Sequence, residues 1–321
     1  MQNFILHMPT KIIFGTDAME QIGQNILQYG KKVLLTYGGG SIKKHGIYKQ
    51  VLSQLTECEI AEFGGIEPNP RVETLRQAIE LGKEFKPDII LAVGGGSVID
   101  GSKLISAALP VEADAWDLVL GKTAVEKTVP LACVLTVAAT GTEMNRGAVI
   151  TNWTTHQKLG FMCDLAKPKF SILDPQNTFS LGWEQTSYGI VDIYSHVLEQ
   201  YLNTSLDAPL QDRFSEGILL TLHESAEVLR KDPRNYEARA NLMFCSTMAL
   251  NSLIGVGVNQ DWATHRIEHE LSAFYDIPHG AGLAIVTPRW MRQVWQQKKA
   301  KFAQFGRRVH GLRGNDQEVA E

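Results

Sequence analysis

Three times in the first half of the chain, a short apolar run ends in a cluster of small residues, and a helix-like stretch follows. Lys32–Tyr37 (KVLLTY) enters Gly38-Gly39-Gly40-Ser41. Residues 88–93 (DIILAV) enter Gly94-Gly95-Gly96-Ser97. Residues 131–136 enter the segment TVAATGTEMN, 136–145. Apolar runs without polar alternation suit strands buried on both faces. Strand and helix alternating at this spacing imply βαβ units around a parallel sheet. Glycine at a strand end lets backbone amides approach a phosphate, and the helix that follows adds a favourable dipole. One such cluster is a weak signal, because a tight turn needs the same residues. Three at the strand ends of one sheet favour a dinucleotide site.

The remaining elements of this half follow from periodicity. Residues 4–7 and 11–14 read as a β-hairpin. Residues 17–29 read as a helix closed by Gly30, 42–55 as a helix, Glu59–Phe63 as a strand, and Val72–Phe85 and 97–109 as helices, with Ser97 placed to cap the last. From residue 181 onward no strand is expected. Helices are read at 188–202, 212–230, 235–253, 261–275 and 288–308. The expected architecture is therefore an α/β domain with a Rossmann-like parallel sheet over residues 1–178, then an all-α domain over 179–321.

Composition narrows the partners. The 321 residues carry 31 Lys and Arg against 35 Asp and Glu, a net charge of −4, without the basic surplus of a nucleic-acid protein. The longest apolar runs are too short to span a bilayer. The opening MQNFILHMPTKIIFG lacks the basic and long apolar regions of a secretory signal. Cys58, Cys133, Cys163 and Cys245 are widely spaced and fit a reducing compartment. The expected location is the cytoplasm, with neither membrane nor nucleic acid as partner.

Two sets of residues carry chemistry. After Tyr37 the loop holds no acidic residue to receive adenosine ribose hydroxyls. Ser41, Lys43 and Lys44 instead offer donors and positive charge to a 2′-phosphate, which favours NADP(H) over NAD(H). In the second half, Asp192 and His196 are four apart in IVDIYSHVLEQY, and His265 and His269 are four apart in DWATHRIEHELSAFY. Each pair shares one helix face, and His279 follows in IPHGAG. A lone histidine is more often an ordinary polar residue. The concentration of these favours a divalent metal, and three imidazoles with a carboxylate suit Zn²⁺ or Fe²⁺.

These segments resemble the iron-containing (group III) alcohol dehydrogenase family, in its branch of NADP-dependent butanol dehydrogenases and broad aldehyde reductases. The resemblance rests on GGGSVIDGSK (94–103), ATGTEMN (139–145), the DxxxH of VDIYSH (191–196), HRIEHELSAFYDIPHG (265–280) and PNP (68–70), in collinear order over nearly the whole chain. It implies a dehydroquinate synthase-like architecture, metal ligation by Asp192, His196, His265 and His279, and a place for His269 near the nicotinamide, off the metal. With the loop residues above, it implies cofactor contacts at Gly38, Gly39, Gly40, Ser41, Lys43, Asn69, Gly94, Gly95, Gly96, Ser97, Asp100, Thr136, Ala139, Thr140, Thr142, Asn145, Lys158 and Leu181. Family dimers imply a homodimer. The chain closes on GNDQEVAE, which reads as the start of a helix where family members continue, so a shortened helical domain is expected.

The implied reaction moves a hydride between the nicotinamide and a small alcohol or aldehyde. One anionic and three neutral ligands would leave a divalent ion about one unit of positive charge to stabilise an alkoxide. His269 is the candidate proton relay. Two other readings share these residues: a polyol dehydrogenase or lyase of the same superfamily, and a nucleotide-binding chain without turnover. A lyase acting on a phosphorylated acid needs several cations near the metal, and the segments 192–196 and 265–280 offer only Arg266.

Overall fold

The computed structural model describes residues 1–204 and 207–321. Two compact units divide the chain. One comprises residues 8–138 and 142–181. The other comprises 1–7, 139–141 and 182–321.

The first unit is built on a six-stranded parallel sheet in the order β1-β8-β5-β4-β2-β3. Its strands are β1 (Lys11–Phe14), β2 (Lys32–Tyr37), β3 (Glu59–Phe63), β4 (Ile89–Gly94), β5 (Leu131–Leu135) and β8 (Phe170–Leu173). Helices α1 (Ile22–Ile26), α2 (Ser41–Lys44), α3 (Ile47–Gln54), α4 (Val72–Phe85), α5 (Gly96–Ala108) and α6 (Ala115–Val119) connect them, and β6 (Gly147–Asn152) and β7 (Gln157–Met162) form an antiparallel pair. Every residue of β4 and β5 is buried, which is why those runs show no polar alternation. Val33, Leu35, Ile89, Leu91 and Val93 pack with Ile22, Ile26, Ile47 and Val51 in one core. Thr36 lies between Leu35 and Tyr37, and its hydroxyl meets Ser102 on α5 at 2.7 Å.

Several expectations need correction. No hairpin forms at 4–7 and 11–14: β1 pairs in parallel with β8, and Gln2 donates instead to the Gly257 carbonyl at 3.0 Å. The 42–55 helix is two helices, because Gly46 adopts a left-handed φ of 84° between α2 and α3. The 17–29 helix begins as a 3₁₀ turn over Ala18–Gln21, and its α-helical part is only Ile22–Ile26.

In the second unit the helices are α7 (Trp183–Tyr201), α8 (Pro209–Lys231), α9 (Tyr236–Ala249), α10 (Ala263–Tyr275), α11 (His279–Val294), α12 (Lys299–Arg308) and α13 (Asp316–Ala320), with no strand among the described residues. The sequence placed one helix at 288–308. The structure has α11 running through Pro288 from an N-cap at Pro278, and then the separate α12. A proline usually marks a helix start, and here an internal one hid the true start at His279. Among the described residues, no helix is long and apolar enough to cross a membrane.

Lys103 on α5 fixes the segment that leaves β5. Its fully buried ammonium donates to Thr142 Oγ1 at 2.6 Å, Asn145 Oδ1 at 2.9 Å and the Gly147 carbonyl at 2.6 Å. Asp100, one turn earlier, accepts from Thr142 Oγ1 at 2.5 Å and from the Val149 amide at 2.8 Å. Burial pushes Lys103 down to about 8 against the pull of Asp100, and burial pushes Asp100 up. Lys103→Met leaves these buried acceptors unmatched and should lower unfolding stability by about 3 kcal/mol, read from the urea midpoint. Between pH about 8 and 10.5 the unfolded chain holds a proton that folded Lys103 has released. The lysine's contribution should therefore rise with pH across that window, as a widening gap between the parent and Lys103→Met midpoints.

Candidate functional site

Four side chains from three helices of the second unit converge. Asp192 and His196 lie one turn apart on α7, His265 is in the first turn of α10, and His279 opens α11. Asp192, His196 and His265 are buried, and His279 is partly exposed. Asp192 Oδ1 faces three imidazole nitrogens, the Nε2 atoms of His196, His265 and His279, each at 3.6 Å. That separation is too long for a hydrogen bond, and Asp192 Oδ1 and His265 Nε2 are buried without a hydrogen-bond partner.

Two unpartnered polar atoms facing each other across such a gap mark a place for a cation. Donors about 2.2 Å from a tetrahedrally bound ion stand roughly 3.6 Å apart. A carboxylate with three imidazoles is also a donor set that Zn²⁺ and Fe²⁺ accept. The residues present therefore fit the divalent metal that the resemblance implies.

The electrostatics agree. Burial works against charge on Asp192, yet the facing His196, His265 and His279 hold its carboxyl well below the usual range. Burial pushes His196 down to about 3. Burial also works against charge on His265, but Asp192 and Glu199 on either side lift it to about 9. With no ion present, the buried carboxylates draw a proton into the space between them. A divalent cation meets the same demand.

The sequence did not single out the two carboxylates behind the imidazoles. Glu199 on α7 accepts from His265 Nδ1, and its second oxygen accepts the amides of Thr264 at 2.6 Å and His265 at 3.3 Å. Glu268 on α10 accepts from His279 Nδ1 and from the Ser272 hydroxyl. The signal was there: Glu199 follows His196 by three, and Glu268 follows His265 by three, the spacing of one helix face. Trp262 also went unnoticed. Its ring stands edge-on to His265 and His196, with centroids 5.4 and 6.1 Å away. His269 lies with Glu268 and His279, its ring 5.7 Å from that of His279.

The cofactor candidates fall into groups. Gly38, Gly39 and Gly40 close β2, with Gly40 at a φ of 103° and open space around Gly39 and Gly40, and Ser41 starts α2. Lys43 stands over the rings of Tyr37 at 4.7 Å and Tyr48 at 4.6 Å and is 3.9 Å from Glu62. Tyr37 is the main influence holding its pKa up. Gly94 ends β4, Gly95 is the N-cap of α5, and Gly96 begins it, so Ser97 lies within the first turn and does not cap it. A Cβ on Gly95 would come within 2.9 Å of Val137, a close approach that only glycine permits. Thr136 donates its amide to the Gly94 carbonyl at 3.0 Å, which ties two of these loops together. Asp100, Thr142 and Asn145 belong to the Lys103 network. Asn69, at a φ of 54°, accepts from Lys158 Nζ on β7 at 2.9 Å, and both are buried. Leu181 donates its amide to the Thr178 carbonyl at 3.1 Å. Ala139 and Thr140 are counted in the helical unit.

Comparison with known proteins gives a consistent picture. The family model described as "Iron-containing alcohol dehydrogenase" matches residues 9–175, and that described as "Fe-containing alcohol dehydrogenase family, C-terminal" matches residues 186–321. A protein of Bacillus subtilis named probable NADH-dependent butanol dehydrogenase 1 is 47% identical over 325 residues, covering 100% of this chain and 84% of its own. The NADPH-dependent aldehyde reductase YqhD of Escherichia coli is 47% identical over 322 residues, covering 99% and 83%. The crystal structure of NADH-dependent butanol dehydrogenase A from Thermotoga maritima matches with a TM-score of 0.97 at 46% identity, covering 100% of this chain and 81% of that one.

Asp192→Asn preserves shape while removing the one anion that faces the three imidazoles. Elemental analysis of the purified variant should show bound divalent metal falling from about one ion per chain to near zero, with the helical circular dichroism retained. Full metal content in the variant would remove Asp192 from the ligand set.

Proposed function

The chain belongs to the iron-containing alcohol dehydrogenase family, and on that premise we propose that it transfers a hydride between NADP(H) and a small primary alcohol or aldehyde, such as butanol or butanal. The observation that carries this reading is the single carboxylate oxygen of Asp192, buried and faced by three imidazole nitrogens at 3.6 Å. We assign cofactor binding to residues 1–178 and metal binding to residues 179–321.

When bound, a divalent Fe²⁺ or Zn²⁺ supplies electrophilic activation of the substrate oxygen, and the nicotinamide supplies or accepts the hydride. The chain holds that ion with Asp192, His196, His265 and His279. Glu199 and Glu268 accept hydrogen bonds from Nδ1–H of His265 and His279, which leaves Nε2 of both rings on the side of Asp192. Trp262 keeps water from the edges of His196 and His265. His269, half-buried beside His279, holds the proton that the product oxygen takes in reduction and receives it back in oxidation.

In the cofactor half, the open glycines at 39 and 40 and the start of α5 after Gly95 supply backbone amides for phosphates. Preference for NADP(H) rests on Ser41 and Lys43 beside a loop with no carboxylate of its own. Glu62, which the fold brings to Lys43, is the counterweight. The relatives' names divide between the two cofactors, which makes this a question for measurement. We further read the enzyme as a cytoplasmic homodimer acting on small molecules. The four free cysteines suit a reducing compartment, and the exposed Phe4 and Ile5 suit burial against a second copy.

Butanal-dependent NADPH oxidation should be abolished by a strong chelator and restored by Fe²⁺ or Zn²⁺. Its kcat/KM should exceed that with NADH at least tenfold, about 1.4 kcal/mol. Equal rates with both cofactors would refute the NADP(H) preference. His269→Ala should lower kcat roughly 100-fold, the scale of a lost proton relay, with metal content unchanged.

A further inference from the structure

Deepening the metal reading above, on which it rests, we infer that Glu199 and Glu268 are positioning residues of the metal centre: each binds the far nitrogen of one ligand imidazole, fixes its tautomer and ring orientation, and sets how tightly the ion is held. The two carboxylates are fully buried, and each faces the same kind of atom, the Nδ1 of a histidine whose Nε2 is aimed at Asp192. A carboxylate only accepts hydrogen bonds, so each ring carries a proton on Nδ1, and Nε2 is the nitrogen left to offer its lone pair to an ion. The third imidazole is built differently, for His196 Nδ1 is buried without a partner. Orientation and basicity are therefore imposed on two of the three rings.

Neither glutamate is free to drift. One oxygen of Glu199 receives the amides of Thr264 and His265, the second and third residues of α10, so one carboxylate caps that helix and grips the imidazole it presents. One oxygen of Glu268 receives the Ser272 hydroxyl, and its stem lies where a Cβ on Gly282 would come within 2.7 Å. Glycine at 282 is thus needed for α11 to bring His279 against Glu268. The ligand rings are fixed by carboxylates that are themselves fixed by helix starts and close packing.

These residues also change the charge count expected from the ligands alone. Asp192, Glu199 and Glu268 bring three buried carboxyl groups to the centre, where the ligand set alone brings one. Carboxylates behind imidazoles raise ligand basicity, and losing one typically costs about 10- to 100-fold in metal affinity. Tight retention of the ion is the expected result.

The test uses Glu199→Gln and Glu268→Gln. An amide of the same shape can present its NH₂ to Nδ1, which moves the ring proton to Nε2 and removes the lone pair from the metal. The full-length parent and both variants are stripped of metal and titrated with Zn²⁺ against a chromophoric chelator. They are then loaded with Co²⁺ for its visible ligand-field spectrum, and metal-free melting temperatures are recorded. The inference expects Zn²⁺ affinity roughly 10- to 100-fold weaker in each variant. It also expects a shifted Co²⁺ spectrum in each variant, whatever the change in metal-free melting temperature. Lower metal-free melting temperatures with unchanged Zn²⁺ affinity and Co²⁺ spectrum would make the glutamates merely structural and overturn the inference. A parent that takes up no Zn²⁺ or Co²⁺ would overturn the metal reading itself, a result distinct from variants that bind as well as the parent.

Discussion

One buried carboxylate oxygen sets the terms for the helical half. Asp192 Oδ1 has no hydrogen-bond donor within reach and three imidazole nitrogens at equal distance. A charge in that position is tolerable only when an opposite charge stands beside it. The arrangement of α7, α10 and α11 makes sense as the means of keeping three imidazole nitrogens 3.6 Å from that oxygen. Each helix contributes at its beginning or through one face, where side-chain direction is most closely defined by the backbone.

The same economy of position runs outward from the ligands. Glu199 and Glu268 serve both the packing of helix starts and the orientation of rings, so the stability of the helical unit and the geometry of its centre rest on shared atoms. In the α/β unit, Lys103 has a comparable place. It ties α5, whose start follows the Gly94–Gly95 turn, to the segment that carries Thr142 and Asn145. Two residues first considered for the cofactor thus also anchor the loop.

Much of this was legible in the primary structure. The doubly buried strands β2, β4 and β5 announced themselves as unbroken apolar runs, because a strand covered on both faces has no polar side to show. The glycines after them stood out because backbone close approach excludes side chains. Asp192 and His196 were recognisable by their four-residue spacing, as were His265 and His269. Local pattern failed where pairing is long-range or where a residue has two uses. The run at 11–14 resembles half of a hairpin, yet its partner is β8, about 160 residues later in the chain. Pro288 resembles a helix start, yet it lies inside α11. Glu199 and Glu268 resemble the solvated charges of ordinary helices, and their spacing from His196 and His265 places them on a helix face without saying that the face is buried.

The sequence by itself therefore determined the alternation of strand and helix in the first half, the parallel sheet, the glycine loops and the candidate metal-binding side chains. All of these follow from local periodicity, backbone permissiveness and the ligand chemistry of carboxylate and imidazole. Tertiary structure alone decided which acids stand behind which imidazoles, and that Lys43 is shared with Tyr37, Tyr48 and Glu62. It alone decided that the centre carries three carboxylates and not one. Those facts depend on which faces of distant helices and strands are brought together, and burial and charge balance are properties of that assembly which no single segment encodes.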